Sequence, residues 1–268
     1  MSDPIRPTEK PPNELLTRII VGVALVAVTV TTLILGNHEI GRHALWLLVI
    51  LMALGILSEW AELTGRRENK RLALYALSVP LAIMSYLAAG PSFLALGLIL
   101  GAAMFIAVFD RSIQLSLGII YAGLPALSIL FLRGIDNGLL IVFWTLALVW
   151  ATDIGAYFSG RAIGGPKLAP RYSPNKTWAG LIGGVIVTAL FSYVLHIYFQ
   201  LPFHLVLLSI PLAILAQLGD LFESQMKRRA GAKDSGTIFP GHGGVMDRLD
   251  GLIPVAPVVA IIMLFGYS

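Results

Sequence analysis

Long apolar runs recur along this chain and limit what it can fold into. They fall at about 19–36, 44–61, 72–89, 92–109, 113–132, 138–158, 180–199, 203–222 and 252–267. Each is close to the roughly 20 residues a helix needs to cross the hydrocarbon core of a bilayer. A water-soluble fold cannot accommodate them: 57% of the 268 residues are hydrophobic and the mean hydropathy is +0.82. Charged residues make up only 13%, about half of what an ordinary soluble domain carries. Cysteine is absent, which removes thiol catalysis, Cys-ligated zinc and iron–sulfur centres.

Charge gives the runs a direction. With the N-terminus in the cytoplasm and alternating spans, every Lys and Arg except Arg42 and Arg133 falls on the inner side, as membrane insertion favours. The expected fold is an all-α polytopic membrane protein with about nine transmembrane helices, N-terminus cytoplasmic and C-terminus outside. Residues 1–18, with Pro4, Pro7, Pro11 and Pro12, read as a flexible polar leader. No small-residue cleavage pattern follows the first run, so that run reads as a retained anchor. Residues 19–137 form the N-terminal transmembrane helices. Residues 138–268 form the C-terminal ones and carry two long inner loops, about 159–179 and 223–251. Gly97/Gly101 and Gly180/Gly184 have the spacing of helix-packing surfaces. The basic residues suit anionic head groups or nucleotide phosphates. Nucleic acid is disfavoured, because no basic stretch is interleaved with aromatics.

Acids at the inner ends of apolar runs are the first functional candidates, since an ionisable group at membrane depth is costly. They are Asp153, Asp220, Glu223, Asp247 and Asp250. In a helix Asp220, Ser224 and Lys227 share one face. Two aspartates from separate helices beside lysines and arginines suit Mg2+, which takes few protein carboxylates and completes its shell with water and phosphate. Asp220 and Asp247 are the first choice and Asp250 the second; Asp250 has the alternative of pairing with Arg248 or Lys227. Gly241-His242-Gly243-Gly244 could let backbone N–H groups approach an anion. Gly160 to Gly165 is not a P-loop, because the motif's lysine would fall on Pro166.

Ser224, Lys227, Arg228, Lys233, Asp234, Pro240, Gly241, His242, Gly243, Gly244, Asp247, Arg248 and Asp250 together resemble the long signature of the phosphatidate cytidylyltransferase (CDP-diacylglycerol synthase) family. A second block is similar to the same family: Asp153, Gly155, Ala156, Tyr157, Gly160, Arg161 and Gly164, then Ser173, Pro174, Lys176, Thr177, Trp178 and Gly180. One departure is Ala179, where that family usually has glutamate. The resemblance implies an enzyme of the bacterial cytoplasmic (inner) membrane that converts CTP and phosphatidate to CDP-diacylglycerol and pyrophosphate, requires Mg2+ and forms a homodimer. A second, monovalent cation stays open. On this reading Asp220 and Asp247 carry the metal. Lys227, Arg228 and Arg248 hold phosphate oxygens, with Lys176 and Arg161 from the other loop. His242, Gly243 and Gly244 line the phosphate cradle, and Ser224 orients a ligand water or phosphate oxygen. Ser173 and Thr177 contact nucleotide, with Asp153 and Asp250 beside the substrates. The nucleophile is already an anion, so His242 is not needed as a base. Competing readings are a CTP-using lipid kinase or cytidylyltransferase acting on an isoprenoid or archaeal-type lipid, a catalytically dead scaffold and a secondary transporter. The transporter is disfavoured because the charges avoid the span middles.

Overall fold

The computed structural model describes residues 14–35, 38–238 and 243–266. Most of the expected leader (1–13) and His242 lie outside the described residues. The described chain is almost entirely helical: α1 (Glu14–Leu35), α2 (Glu39–Leu63), α3 (Lys70–Ile83), α4 (Phe93–Phe109), α5 (Ile113–Gly134), α6 (Gly138–Ile163), α7 (Trp178–Phe199), α8 (Phe203–Arg229), a single turn α9 (Met246–Leu249) and α10 (Leu252–Gly266). Between α6 and α7 an antiparallel hairpin pairs β1 (Lys167–Ala169) with β2 (Ser173–Thr177).

Five helices are long and apolar enough to cross a bilayer: α2, α5, α6, α7 and α8. They coincide with five of the nine runs, and the chain is an integral membrane protein of all-α type. Three of the other runs form shorter helices. α4 has 17 residues and α10 has 15. α3 has 14, about 21 Å of helix against a core near 30 Å. The run 72–89 therefore does not remain helical to the Gly90-Pro91 turn. Pro80 sits inside the last turn of α3, and the Ser85 carbonyl collects the Ala88 and Gly90 amides in a tight turn. Of the long loops, 223–251 shrinks most, because α8 continues to Arg229. At 27 residues it is about 40 Å long, so its charged C-terminal turns outrun the hydrocarbon.

α5 packs against α2, α3, α4, α6 and α10 and forms the centre of the bundle. The closest helix pair is α6 with α7. A Cβ on Gly184 would lie 2.8 Å from the Thr152 carbonyl, and one on Gly155 2.8 Å from the Val187 Cβ. Polar links also join these two helices. Thr152 and Thr188 hydroxyls meet at 2.8 Å, and Trp144 Nε1 donates to Ser192 Oγ at 2.9 Å. The packing role expected of Gly180/Gly184 holds. That of Gly97/Gly101 does not, since nothing described lies within 4 Å of where their Cβ atoms would be.

The loops expected on the inner side gather at one end of the bundle. Arg66 Nε donates to Gln114 Oε1 at 2.7 Å, and Asn69 Nδ2 bonds to Asp110. Glu59, near the C-terminal end of α2, reaches Ser235, Val245 and Met246. At the opposite end Arg133 donates to the Leu33 carbonyl, and Arg42 lies over the Tyr86 ring at 5.5 Å.

Candidate active site

At the charged end, α8 supplies a stripe of side chains because its positions 217, 220, 224 and 227 recur at helical spacing. Ser224 Oγ donates to Asp220 Oδ1 at 3.2 Å, as expected for a shared face. Lys176 on β2 pairs with Asp220 Oδ2 at 2.5 Å and donates to Gln217 Oε1 at 2.9 Å. Gln217 Nε2 in turn donates to Asp153 Oδ1 of α6 at 3.0 Å. Three elements are thereby tied into one polar chain running Asp153, Gln217, Lys176, Asp220. It borders a cavity of about 550 Å³, which Arg161, Tyr157, Asn175 and Thr177 also line. Arg161 donates to the Tyr157 hydroxyl at 2.8 Å. Thr177 is the N-cap of α7, its Oγ1 accepting the Gly180 amide at 3.0 Å, and Ser173 opens β2.

A second cluster follows further along α8. Lys227 Nζ lies 2.6 Å from Asp247 Oδ1 and 3.2 Å from Glu223 Oε1. Asp247 Oδ2 accepts from the Gly244 amide at 2.7 Å, the Ser235 amide at 2.8 Å and the Ser235 hydroxyl at 3.0 Å. Burial pushes the Asp247 carboxyl up, but Lys227 and the two backbone amides outweigh it and hold it near 2. Gly243 has φ +82, and a Cβ there would run into the Asp247 carboxylate. The glycine thus supplies the left-handed backbone and the close approach that the loop requires.

Asp250 sits where α9 hands over to α10. Its backbone carbonyl packs on Gly219 of α8, which sets it beside Asp220. Burial, then the Asp220 charge, push its carboxyl above the usual range, and Asp153 adds to this. Asp250 pairs with neither Arg248 nor Lys227 among the described residues; it accepts the Gly251 amide at 2.7 Å. Arg248 is exposed. Arg228 reaches back to the hairpin, its Nε 3.4 Å from the Tyr172 carbonyl. Asp220, Asp250 and Asp153 thus share one environment, while Asp247 is set in the loop on Lys227.

Glu59, Gln217 and Ser235 are functional candidates that the motifs do not contain. Glu59 had a signal, being an ionisable residue inside the apolar run 44–61. Gln217 and Ser235 had none, because uncharged polar residues are common at such positions.

The donor set fits a divalent cation. Glu223 is fully buried and, apart from its ion pair with Lys227, neither oxygen has a hydrogen-bond partner. Among the described residues, Asp153, Asp220, Glu223, Asp247 and Asp250 have Lys176 and Lys227 as their close cationic partners. Clustered negative charge with few cations beside it is what a bound cation neutralises. Among the described residues no three acids or histidines are close enough to enclose an ion by themselves. Mg2+ does not require that, because phosphate and water fill most of its shell.

A family model described as Cytidylyltransferase family matches residues 16–265. The chain belongs to that family. Curated relatives of the cytidylyltransferase include a phosphatidate cytidylyltransferase of Brucella suis biovar 1 (strain 1330), 40% identical over 262 residues, covering 95% of this chain and 94% of the relative. One from Rickettsia bellii (strain RML369-C) is 31% identical over 264 residues, covering 95% and 93%. One from Bacillus subtilis (strain 168) is 38% identical over 159 residues, 58% and 59%. The matches with Brucella and Rickettsia span both halves of the chain, including the N-terminal helices that carry no signature. The protein is therefore an enzyme of the cytidylyltransferase family.

Proposed function

We propose that this enzyme transfers the cytidylyl group of CTP to phosphatidate, forming CDP-diacylglycerol and pyrophosphate at the cytoplasmic face of a bacterial inner membrane, for phospholipid synthesis. The observation that carries the reading is the Asp153–Gln217–Lys176–Asp220 chain bordering a cavity at the charged end of a helical bundle. A lipid phosphate would be met at the charged end of such a bundle, and the relatives bear the name of the reaction.

A phosphatidate oxygen attacks the α-phosphorus of CTP, the new P–O bond forms, and the bond to the β-phosphate bridging oxygen breaks. No proton must move, because the nucleophile is already ionised. The barrier is repulsion between anions, so the protein's task is positioning and charge neutralisation. Lys176, 17% exposed and held on two partners, offers a prepositioned cation at the cavity edge. Arg161 on α6 also lines it, and Arg228 and Arg248 would hold further phosphate oxygens. Lys227 holds Asp247 and would offer a cation to phosphate oxygens. Asp220 and Asp247 would hold Mg2+; of Asp247, only Oδ1 is free of backbone partners. Bound Mg2+ would supply Lewis-acid neutralisation of the polyphosphate and the leaving group. Gly243 and Gly244, with His242, would line the phosphate cradle. Ser224 keeps Asp220 oriented, and Ser173 and Thr177 place β2 beside the nucleotide. Two chains would associate as a homodimer.

The test is product analysis with purified protein, phosphatidate, Mg2+ and CTP labelled at the α-phosphate. Label in CDP-diacylglycerol supports the reading, whereas labelled CDP would make the enzyme a kinase.

A further inference from the structure

Glu59 stands far in sequence from every motif residue, yet it is the side chain on which the Asp247 loop is built. It lies one turn from the C-terminal end of α2 and is only 3% exposed. Its carboxylate accepts three hydrogen bonds from the loop. Val245 N donates to Oε1 at 2.8 Å, Met246 N donates to Oε2 at 2.9 Å, and Ser235 Oγ lies 2.7 Å from Oε2. The same hydroxyl is 3.0 Å from Asp247 Oδ2. With one proton it donates to one carboxylate at a time, and it stands between Glu59 and Asp247 as their shared neighbour. The Asp247 amide also points at Ser235 Oγ, 3.4 Å away.

The surrounding packing is made for this contact. A Cβ on Gly236 would lie 2.6 Å from Glu59 Oε1, and one on Gly244 would collide with Ser235 Oγ and Glu59 Oε2. One turn earlier on α2, a Cβ on Gly55 would lie 2.8 Å from Val245 Cγ2. Three glycines thus let α2 and the loop close onto one carboxylate. A buried carboxylate is costly to leave unpaired, and N–H and O–H donors satisfy it. Among its described residues the loop has only the single turn α9, so Glu59 is what sets its register against α2.

We propose that Glu59 is a positioning residue for cytidylyl transfer. By clamping Ser235, Val245 and Met246 it fixes the place and rotamer of the Asp247 carboxylate, and it makes the N-terminal half a working part of the site. The proposal rests on the functional reading above for its catalytic consequence, and on the hydrogen bonds alone for its structural one. Glutamine is the informative substitution. It keeps the shape but offers one acceptor oxygen, and its NH2 would face an N–H or O–H donor.

The experiment uses the purified full chain as wild type, Glu59→Gln, Ser235→Ala and, as a packing control on the same helix, Leu57→Ala. Hydrogen–deuterium exchange is followed in peptides carrying Ser235 and Val245–Asp247, without metal or substrate. Steady-state transfer is measured against phosphatidate and Mg2+ concentrations. Glu59→Gln is expected to speed exchange at Val245 and Met246 by about tenfold or more. It should lower kcat about 10–100-fold and raise the half-saturating Mg2+ concentration, with little change in KM for phosphatidate, as for loss of a partner that orients a metal ligand. Ser235→Ala should move the same quantities in the same direction by less. Unchanged exchange and kcat in Glu59→Gln overturn the proposal. So does a kcat loss in Leu57→Ala that matches Glu59→Gln at equal thermal destabilisation. If Glu59→Gln does not fold, Ser235→Ala decides, and wild-type exchange and Mg2+ dependence there overturn it. A wild-type protein that transfers nothing rejects the functional reading, while the exchange comparison still tests the clamp.

Discussion

Asp220 and Asp247 have equal rank as proposed metal ligands but unequal structural ties, and substituting each by asparagine separates the two contributions. Asp247 is 6% exposed, and its two oxygens take Lys227, two backbone amides and a hydroxyl. Asparagine offers one oxygen, so either the Lys227 ammonium or the backbone donors lose their acceptor. Breaking a buried pair of this kind costs roughly 3–5 kcal/mol. For a chain of this size that lowers an unfolding midpoint on the order of 10 °C. Asp220 is 27% exposed and, among the described residues, tied to Lys176 and Ser224. An ion pair of that exposure contributes about 1 kcal/mol or less, so the midpoint of Asp220→Asn should fall by only about 2–4 °C. Both variants should lose nearly all transfer activity. The assay pairs detergent thermal unfolding, scanned at one fixed rate, with label transfer from CTP. Equal midpoints for the two variants would refute the structural reasoning, and wild-type turnover in either would remove that residue from the metal site.

Further outcomes follow from the same geometry. The Asp247 carboxyl is held near 2, below its ordinary value of about 3.9. The stability it contributes is therefore complete above about pH 4 and is lost only as pH falls towards 2. The midpoint difference between wild type and Asp247→Asn should stay constant from pH 8 to 5, and a difference that shrinks across that range would contradict the assignment. Lys176→Met removes the cation shared by Asp220 and Gln217 and should raise the KM for CTP at least about tenfold; an unchanged KM would take Lys176 out of the nucleotide site. Thr177→Ala removes the α7 cap and should cost about 1 kcal/mol, seen as a small drop in midpoint. Gly155→Val would force a side chain against Val187 and the Gly183 carbonyl and should destabilise by about 1–3 kcal/mol, read in the same thermal assay.

The five long spans were legible in the sequence because hydrocarbon tolerates so few residue types that composition alone marks them. Helix ends were less legible. Run 72–89 is apolar throughout, but Pro80 and the Ser85 turn end α3 at Ile83. α8 conversely carries its helix through the charged residues to Arg229, since Lys and Arg are good helix formers once outside lipid. The Lys167–Thr177 hairpin was absent from an all-α expectation, because its short strands carry no alternation to detect. Asp153, Asp220 and Asp247 stood out in the sequence as candidates because charge is unusual at the ends of apolar runs. Glu59 shows what spacing could not reveal, since its partners lie 176 to 187 residues away.

The most direct test of the account remains the fate of the CTP α-phosphate in a reaction with phosphatidate and Mg2+. The account predicts label in CDP-diacylglycerol with one pyrophosphate released per transfer, abolished by chelation and restored by added Mg2+. Label recovered as CDP, or transfer that persists after chelation, would contradict it.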